Sequence, residues 1–144
     1  MTPAAELPES PHKGRRGLRR LVNAFFYSLS GLRLAILHES AFRQEVFLAA
    51  VLIPIACVVE VSAVERAVMI ASVLFVLVVE LLNSSVEAAI DRIGLDTHRL
   101  SKRAKDLGSA AVFVALAMLT ATWALIAGPV LLRLLALHGW QWGA

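Results

Sequence analysis

The chain has 144 residues, of which 58% are hydrophobic, and its mean hydropathy of +0.72 indicates a membrane protein, because a soluble domain is closer to half apolar. Its single cysteine, Cys57, excludes an internal disulfide framework and a cysteine-rich zinc site. The net charge is +3, and many of the basic residues lie in two clusters, Lys13–Arg20 and Arg92–Lys105. We interpret these clusters as determinants of membrane topology and as contacts for anionic lipid headgroups rather than as a nucleic-acid surface.

The first predicted element is an amphipathic helix near the N-terminus. Residues 1–14 are rich in proline and poor in apolar side chains, which predicts a disordered tail. From about 17 to 37, apolar residues recur at helical spacing and are accompanied by Arg19, Arg20 and Arg33. This combination is typical of a helix that lies in the membrane interface.

Three apolar stretches follow, and we predict that they span the membrane at about 41–59, 63–93 and 107–132. The first reaches spanning length only by including its polar first turn, and it contains Pro54. The positive-inside rule places the N-terminal segment and the loop before the third span in the cytoplasm. It places the turn near Glu60 and the C-terminal tail, residues 138–144, outside.

The second span carries the polar residues Glu80, Asn83, Glu87 and Asp91. At about 100° per residue, they fall on one stripe that covers less than a quarter of the helix circumference. A charged side chain at mid-depth costs at least about 2.5–3.5 kcal/mol, so such residues normally face a protein interior or a wet cavity. We therefore predict a functional polar site. The alternative is a helix that leaves the bilayer near Glu80 and exposes a solvated polar turn.

Carboxylates on one stripe suit phosphoryl transfer. One or two of them can bind Mg²⁺ together with phosphate oxygens, and a separate, partly desolvated carboxylate can act as general base. Glu39, which precedes the first span, could complete a metal pair, and the basic residues of 99–105 could balance a polyphosphate. The sequence contains no phosphate-binding P-loop, dinucleotide-binding glycine motif or protein-kinase motif, which excludes those large groups of nucleotide-binding enzymes.

Three segments resemble the prokaryotic diacylglycerol kinase family: E-S-A-F-R-Q-E from Glu39, V-E-L-L-N-S-S-V-E-A-A-I-D-R-I from Val79, and R-A-K-D-L-G-S-A-A-V from Arg103. The second is close to the family signature E-x-x-N-[ST]-x-x-E-x-x-x-D, and the match extends from about Arg20 to Trp123. The resemblance implies a homotrimer in the bacterial inner membrane. Each chain would contribute an interfacial helix and three spans, and neighbouring chains would share active sites.

The resemblance also implies roles for individual residues. Glu80 would be the general base, assisted by Asn83, and Glu39 and Glu87 would bind Mg²⁺. The residues expected to contact ATP are Arg20, Tyr27, Glu39, Glu87, Asp96, Thr97, His98, Lys105 and Asp106. The residues expected to contact the lipid substrate are Arg20, Ser28, Gly31, Ala41, Phe42, Arg43, Gln44, Glu45, Arg66, Glu80 and Ser109.

The reaction implied by the family is transfer of the γ-phosphate of ATP to diacylglycerol, which gives phosphatidate and returns diacylglycerol to phospholipid synthesis. The family also contains undecaprenol kinases, and the carboxylate stripe does not separate the two lipids. The sequences A-F-R-Q-E and K-D-L-G-S-A-A-V resemble the diacylglycerol branch of the family more closely, which favours diacylglycerol as the substrate. A non-enzymatic scaffold or ion carrier is the remaining alternative. Nothing ionisable lies between Arg66 and Glu80, which disfavours a proton path across the membrane.

Overall fold

Four α-helices form the part of the chain that the structure describes, and no strand occurs in that part. A computed structural model describes residues 18–94 and 98–139. The predicted N-terminal tail, Asp96, Thr97 and the last five residues of the predicted C-terminal tail lie outside these ranges. The helices are α1 (Leu18–His38), α2 (Ser40–Val58), α3 (Ala63–Ile93) and α4 (Arg99–Gly139). The predicted all-α architecture is confirmed.

All four helices are long and apolar enough to cross a membrane, judged by length and composition. The mean hydropathy of the most apolar window is 2.2 in α3 and in α4, 1.7 in α2 and only 1.2 in α1. Ala35 is the one buried residue among the described side chains of α1, and the helix carries Arg19, Arg20 and Arg33. These properties agree with an interfacial α1 followed by three spanning helices.

The helix α4 is longer than the apolar segment that predicted it, 107–132. Its first two turns, Arg99–Asp106, are charged and belong to the stretch predicted as a cytoplasmic loop. Lys102 pairs with Asp106 one turn later at an Nζ–Oδ2 distance of 2.8 Å, a spacing that supports the helix. Apolar composition indicates where a helix enters the bilayer, whereas the helix itself can begin earlier in water.

The central helix is α3, which packs against both α2 and α4. Its buried residues are Met69, Ser72, Val73, Val76 and Glu80. Apart from the adjacent pair Ser72 and Val73, successive residues of this set are three or four positions apart, so the set forms one stripe. The core cluster joins this stripe to the two neighbouring helices and consists of Ala49, Val73, Val76, Ala115 and Leu119. The same stripe that builds the apolar core thus ends in a buried carboxylate.

The turn between α2 and α3 is fixed at both of its ends. Ser62 and Glu65 form a capping box, in which the Ser62 N–H donates to Glu65 Oε2 at 2.8 Å and the Glu65 N–H donates to Ser62 Oγ at 3.2 Å. Arg66 Nη2 donates to the Val59 carbonyl at 3.2 Å. These bonds hold the end of the α2–α3 hairpin that lies farthest from Glu80.

Candidate active site

The polar end of the α3 stripe brings Glu80, Asn83 and Glu87 together. The Asn83 side-chain N–H donates to Glu87 Oε1 at 3.3 Å, and the same amide interacts with the Glu80 carboxylate. Glu80 is only 4% exposed, whereas Asn83 and Glu87 are half-buried. Because an amide NH₂ group carries two hydrogens, it can serve a carboxylate on either side. The Asn83 amide therefore lies between two carboxylates on this face of α3 and is hydrogen-bonded to Glu87.

Two further carboxylates lie close enough to Glu80 to interact with its charge. Glu45 of α2 is 9% exposed and interacts electrostatically with Glu80. Glu39, the residue that precedes α2, interacts with Glu80 as well. Like charges repel strongly when they are withdrawn from water. Residues from two helices and the corner before α2 thus create a position where a cation or a proton is favoured.

The carboxylates near Glu80 are oxygen donors of the kind that a divalent metal ion binds. Among residues 18–94 and 98–139, no three His, Cys, Asp or Glu side chains form a metal-binding group. Glu39 and Glu87 both interact with the charge of Glu80, and two carboxylates would suit Mg²⁺ because this ion keeps water or phosphate oxygens as its other ligands. Glu45 Oε2 is buried and finds no hydrogen-bond partner within the described residues. The oxygen-rich, acidic surroundings of Glu80 therefore fit Mg²⁺.

Glu39 owes its position to the corner between α1 and α2. Its backbone is extended (φ −101°, ψ 112°), so the chain changes direction there. Arg43 Nη1 reaches back from α2 and donates to the carbonyls of Ile36 at 3.2 Å and Leu37 at 3.3 Å. These carbonyls lie in the last turn of α1, where acceptors lack partners within the helix. The Arg43 side chain, predicted to contact lipid, therefore also fixes the corner that carries Glu39.

A cleft of about 710 Å³ opens between α1 and α3 beside this corner. It is lined by Ser28, Gly31, His38, Glu39, Ser84 and Ser85 together with apolar side chains of both helices. Ser28 and Gly31 are predicted lipid contacts, so the structure brings them to one surface with the predicted metal ligand Glu39. A cleft with apolar walls and an acidic corner has the character of a site for an amphipathic molecule.

Basic side chains lie on the α4 side of the site. Lys105 Nζ bonds Asp91 Oδ1 at 2.6 Å, which ties the start of α4 to the end of α3, and Lys105 also interacts with the charge of Glu87. The predicted nucleotide contacts Lys105 and Asp106 therefore lie at the same end of the helix pair as the carboxylates, with His98 just before α4. The sequence did not predict the ion pair between Asp91 and Lys105. Helical spacing placed Asp91 on the polar stripe of α3 but contains no information on the register between α3 and α4.

The remaining predicted residues differ in their exposure and in their distance along the helices from this cluster. Arg20 and Tyr27 are exposed on α1, and Arg20 lies about 27 Å along the helix axis from the last residue of α1, at 1.5 Å per residue. Arg66 is about 21 Å from Glu80 along α3. Phe42 is 1% exposed and does not line the cleft. Ala41, Gln44 and Ser109 are exposed.

Comparison with known proteins identifies relatives over most of the chain. Residues 26–127 match the family model described as "Prokaryotic diacylglycerol kinase". A protein of Pseudomonas aeruginosa named "Diacylglycerol kinase" is 57% identical over 117 residues, which cover 81% of this chain and 95% of that protein. The proteins of the same name from Haemophilus influenzae and Escherichia coli K12 are 50% and 46% identical, covering 74% and 76% of this chain and 91% and 90% of the relatives.

Arg43→Gln should loosen the corner, because it removes the guanidinium that binds the carbonyls of Ile36 and Leu37. Loss of about 1.4 kcal/mol of hydrogen bonding would accelerate hydrogen exchange about tenfold at the Glu39 amide, which bonds the Ala35 carbonyl. Exchange measured in detergent micelles checks this, with Arg33→Gln on the exposed part of α1 as control. Equal exchange in wild type and Arg43→Gln would show that the corner does not depend on this side chain.

Proposed function

Because the chain belongs to the prokaryotic diacylglycerol kinase family, we propose that it transfers the γ-phosphoryl group of ATP to the primary hydroxyl of diacylglycerol. The products are phosphatidate and ADP, so diacylglycerol returns to phospholipid synthesis. The observation that carries this proposal is the buried Glu80 carboxylate, which lies on one stripe with the hydrogen-bonded pair Asn83 and Glu87, on a helix that borders an apolar cleft. The names of the relatives, which the match covers almost end to end, support diacylglycerol as the lipid.

Glu80 would act as the general base. As the lipid oxygen bonds to the γ-phosphorus and the bond from that phosphorus to the β–γ bridging oxygen breaks, the hydroxyl proton moves to the Glu80 carboxylate. Burial of Glu80 excludes water, which would otherwise compete with the lipid hydroxyl as acceptor. The Asn83 amide supports this role, since it lies one turn from Glu80 on the same stripe and donates to the Glu87 carboxylate.

Glu39 and Glu87 would hold Mg²⁺ between the protein and the phosphates of ATP. The ion supplies charge neutralisation for the transferred group. Lys105 would add a second positive charge beside the phosphates of ATP. Its ammonium group already bonds one anionic oxygen, that of Asp91. The remaining nucleotide contacts would come from Arg20, Tyr27, Asp96, Thr97, His98 and Asp106.

The lipid would enter through the cleft between α1 and α3. Ser28 and Gly31 line its wall, and Glu39 marks its acidic corner. Ala41, Arg43, Gln44, Glu45 and Ser109 would surround the headgroup. Arg66 lies about 21 Å farther along α3, so a contact there would involve the acyl chains rather than the reacting hydroxyl.

The chain would work as a homotrimer in the bacterial inner membrane, with its N-terminus in the cytoplasm and its C-terminus outside. The basic clusters at Lys13–Arg20 and Arg92–Lys105 support this orientation. The length of α1 supports the shared active sites that the family resemblance implies. Arg20 lies about 27 Å along this helix from the corner that holds Glu39, so one nucleotide could contact both only if Arg20 came from a neighbouring chain.

The choice of lipid is tested by offering diacylglycerol and undecaprenol together with labelled ATP to the purified enzyme. We expect label in phosphatidate, with undecaprenyl phosphate at background. The same assay on Gly128→Ala checks that a substitution remote from the site leaves the preference unchanged. Label confined to undecaprenyl phosphate would contradict the proposed substrate, and label in neither lipid would contradict lipid kinase activity.

Glu80→Gln should reduce turnover by about 10²–10⁴-fold while nucleotide affinity stays near wild type, since the amide keeps the shape of the carboxylate but accepts no proton. Glu87→Gln should instead raise the Mg²⁺ concentration needed for half-maximal activity. Steady-state rates over a Mg²⁺ titration separate the two effects. A wild-type rate for Glu80→Gln, or an unchanged Mg²⁺ requirement for Glu87→Gln, would remove that residue from its proposed role.

Shared sites are tested with mixed trimers of Arg20→Ala and Glu80→Gln chains. If Arg20 serves a neighbour, some sites in a mixed trimer combine an intact Arg20 with an intact Glu80, and activity should exceed the mean of the two single variants. Chains carrying different affinity tags allow mixed trimers to be isolated, and a trimer that mixes two tagged Glu80→Gln chains is the control. Activity equal to the mean would indicate that each site is built from one chain.

A further inference from the structure

Gly108 of α4 lies directly against the side chain of Asn83 on α3. A Cβ atom at position 108 would overlap Asn83 Oδ1 and would lie 3.3 Å from its Cγ and 3.9 Å from its Cα. Gly128, in the same helix, is different, because a Cβ atom there has nothing within 4 Å. The lack of a side chain at position 108 therefore has a steric reason that position 128 does not share.

The contact also determines which end of the Asn83 amide faces the carboxylates. Asn83 Oδ1 points at Gly108, is buried and has no hydrogen-bond partner among the described residues. Its NH₂ group points the other way, toward Glu87 Oε1. If the amide were reversed, its oxygen would face the Glu87 carboxylate and two acceptors would repel each other. In the observed orientation the amide oxygen faces the Cα of Gly108. It has no strong hydrogen-bond donor there, only a weak C–H donor, but it is not placed against another acceptor.

We infer that Gly108 is a positioning residue, which admits the Asn83 amide between α3 and α4 and so directs its NH₂ group toward Glu87. A larger residue would displace the amide and with it the hydrogen bond that ties Glu87 to Asn83. This inference rests on the proposed function only in assigning a catalytic task to the carboxylates that Asn83 orders. The steric relation between the two residues is independent of that task.

Close packing of two membrane helices is a second reason for a small residue at such a position. The two roles differ in their dependence on Asn83. A positioning role disappears once the Asn83 side chain is removed, because nothing is then left for a methyl group at position 108 to displace. A general packing role persists, since the backbones of α3 and α4 would still be forced apart.

The test compares Gly108→Ala, Asn83→Ala and the double variant with wild type, with Gly128→Ala as matched control. Gly108→Ala should lower kcat by about tenfold to a hundredfold, the scale expected for a misplacement of about 1 Å, with KM for ATP and lipid within about twofold. In the Asn83→Ala background, the added Gly108→Ala should change kcat by less than about twofold. Equal losses in both backgrounds, or an effect confined to KM, would overturn the inference.

Thermal unfolding in detergent supplies a readout that does not depend on activity. Gly108→Ala should lower the unfolding midpoint when Asn83 is present and leave it unchanged or raised when position 83 is alanine, because alanine is the better helix former. Gly128→Ala should match wild type or exceed it. An equal fall of the midpoint in both backgrounds would contradict the positioning role. If wild type phosphorylated no lipid, the proposed function would fail while this comparison still decided the inference.

Discussion

The packing of α3 between α2 and α4 positions both the apolar core and the carboxylates of this chain. One stripe of α3 is apolar at Val73 and Val76, where it meets both neighbours, and continues into Glu80 and Glu87. The apolar half stabilises the bundle by close packing, since helices in lipid gain little from the hydrophobic effect alone. Both halves lie on one stripe of α3, so a rotation of the helix that exposed the carboxylates to lipid would also remove Val73 and Val76 from the core. The core therefore holds the carboxylates in the protein interior.

This arrangement concentrates negative charge, and neighbouring residues offset only part of the electrostatic repulsion. Asn83 donates to Glu87, Lys105 bonds Asp91, and Arg43 is engaged with the end of α1 instead of neutralising the carboxylates. Glu45 and Glu80 remain buried without a basic side chain bonded to either among the described residues. Such a site favours a cation from outside the chain, and a Mg²⁺ ion that binds together with a nucleotide would supply one.

The sequence predicts features that depend on one helix better than features that depend on two. The stripe of Glu80, Asn83 and Glu87 follows from 3.6 residues per turn alone. The bond between Lys105 and Asp91 and the contact between Gly108 and Asn83 require the register of α4 against α3, which no local pattern contains. The early start of α4 was missed for another reason, because Arg99–Asp106 is helical although its composition is polar.

The charged first turns of α4 have a consequence for how two unlike substrates meet. Residues Arg99–Asp106 extend the helix about 12 Å beyond its apolar part, at 1.5 Å per residue. In the proposed reaction, a water-soluble phosphate donor would bind along this extension, while a lipid acceptor would stay among the apolar side chains of the cleft. Because one continuous helix joins the charged segment to the apolar segment, neither molecule would have to change phase for the reaction to occur. The boundary between water and lipid would thereby be part of the active site.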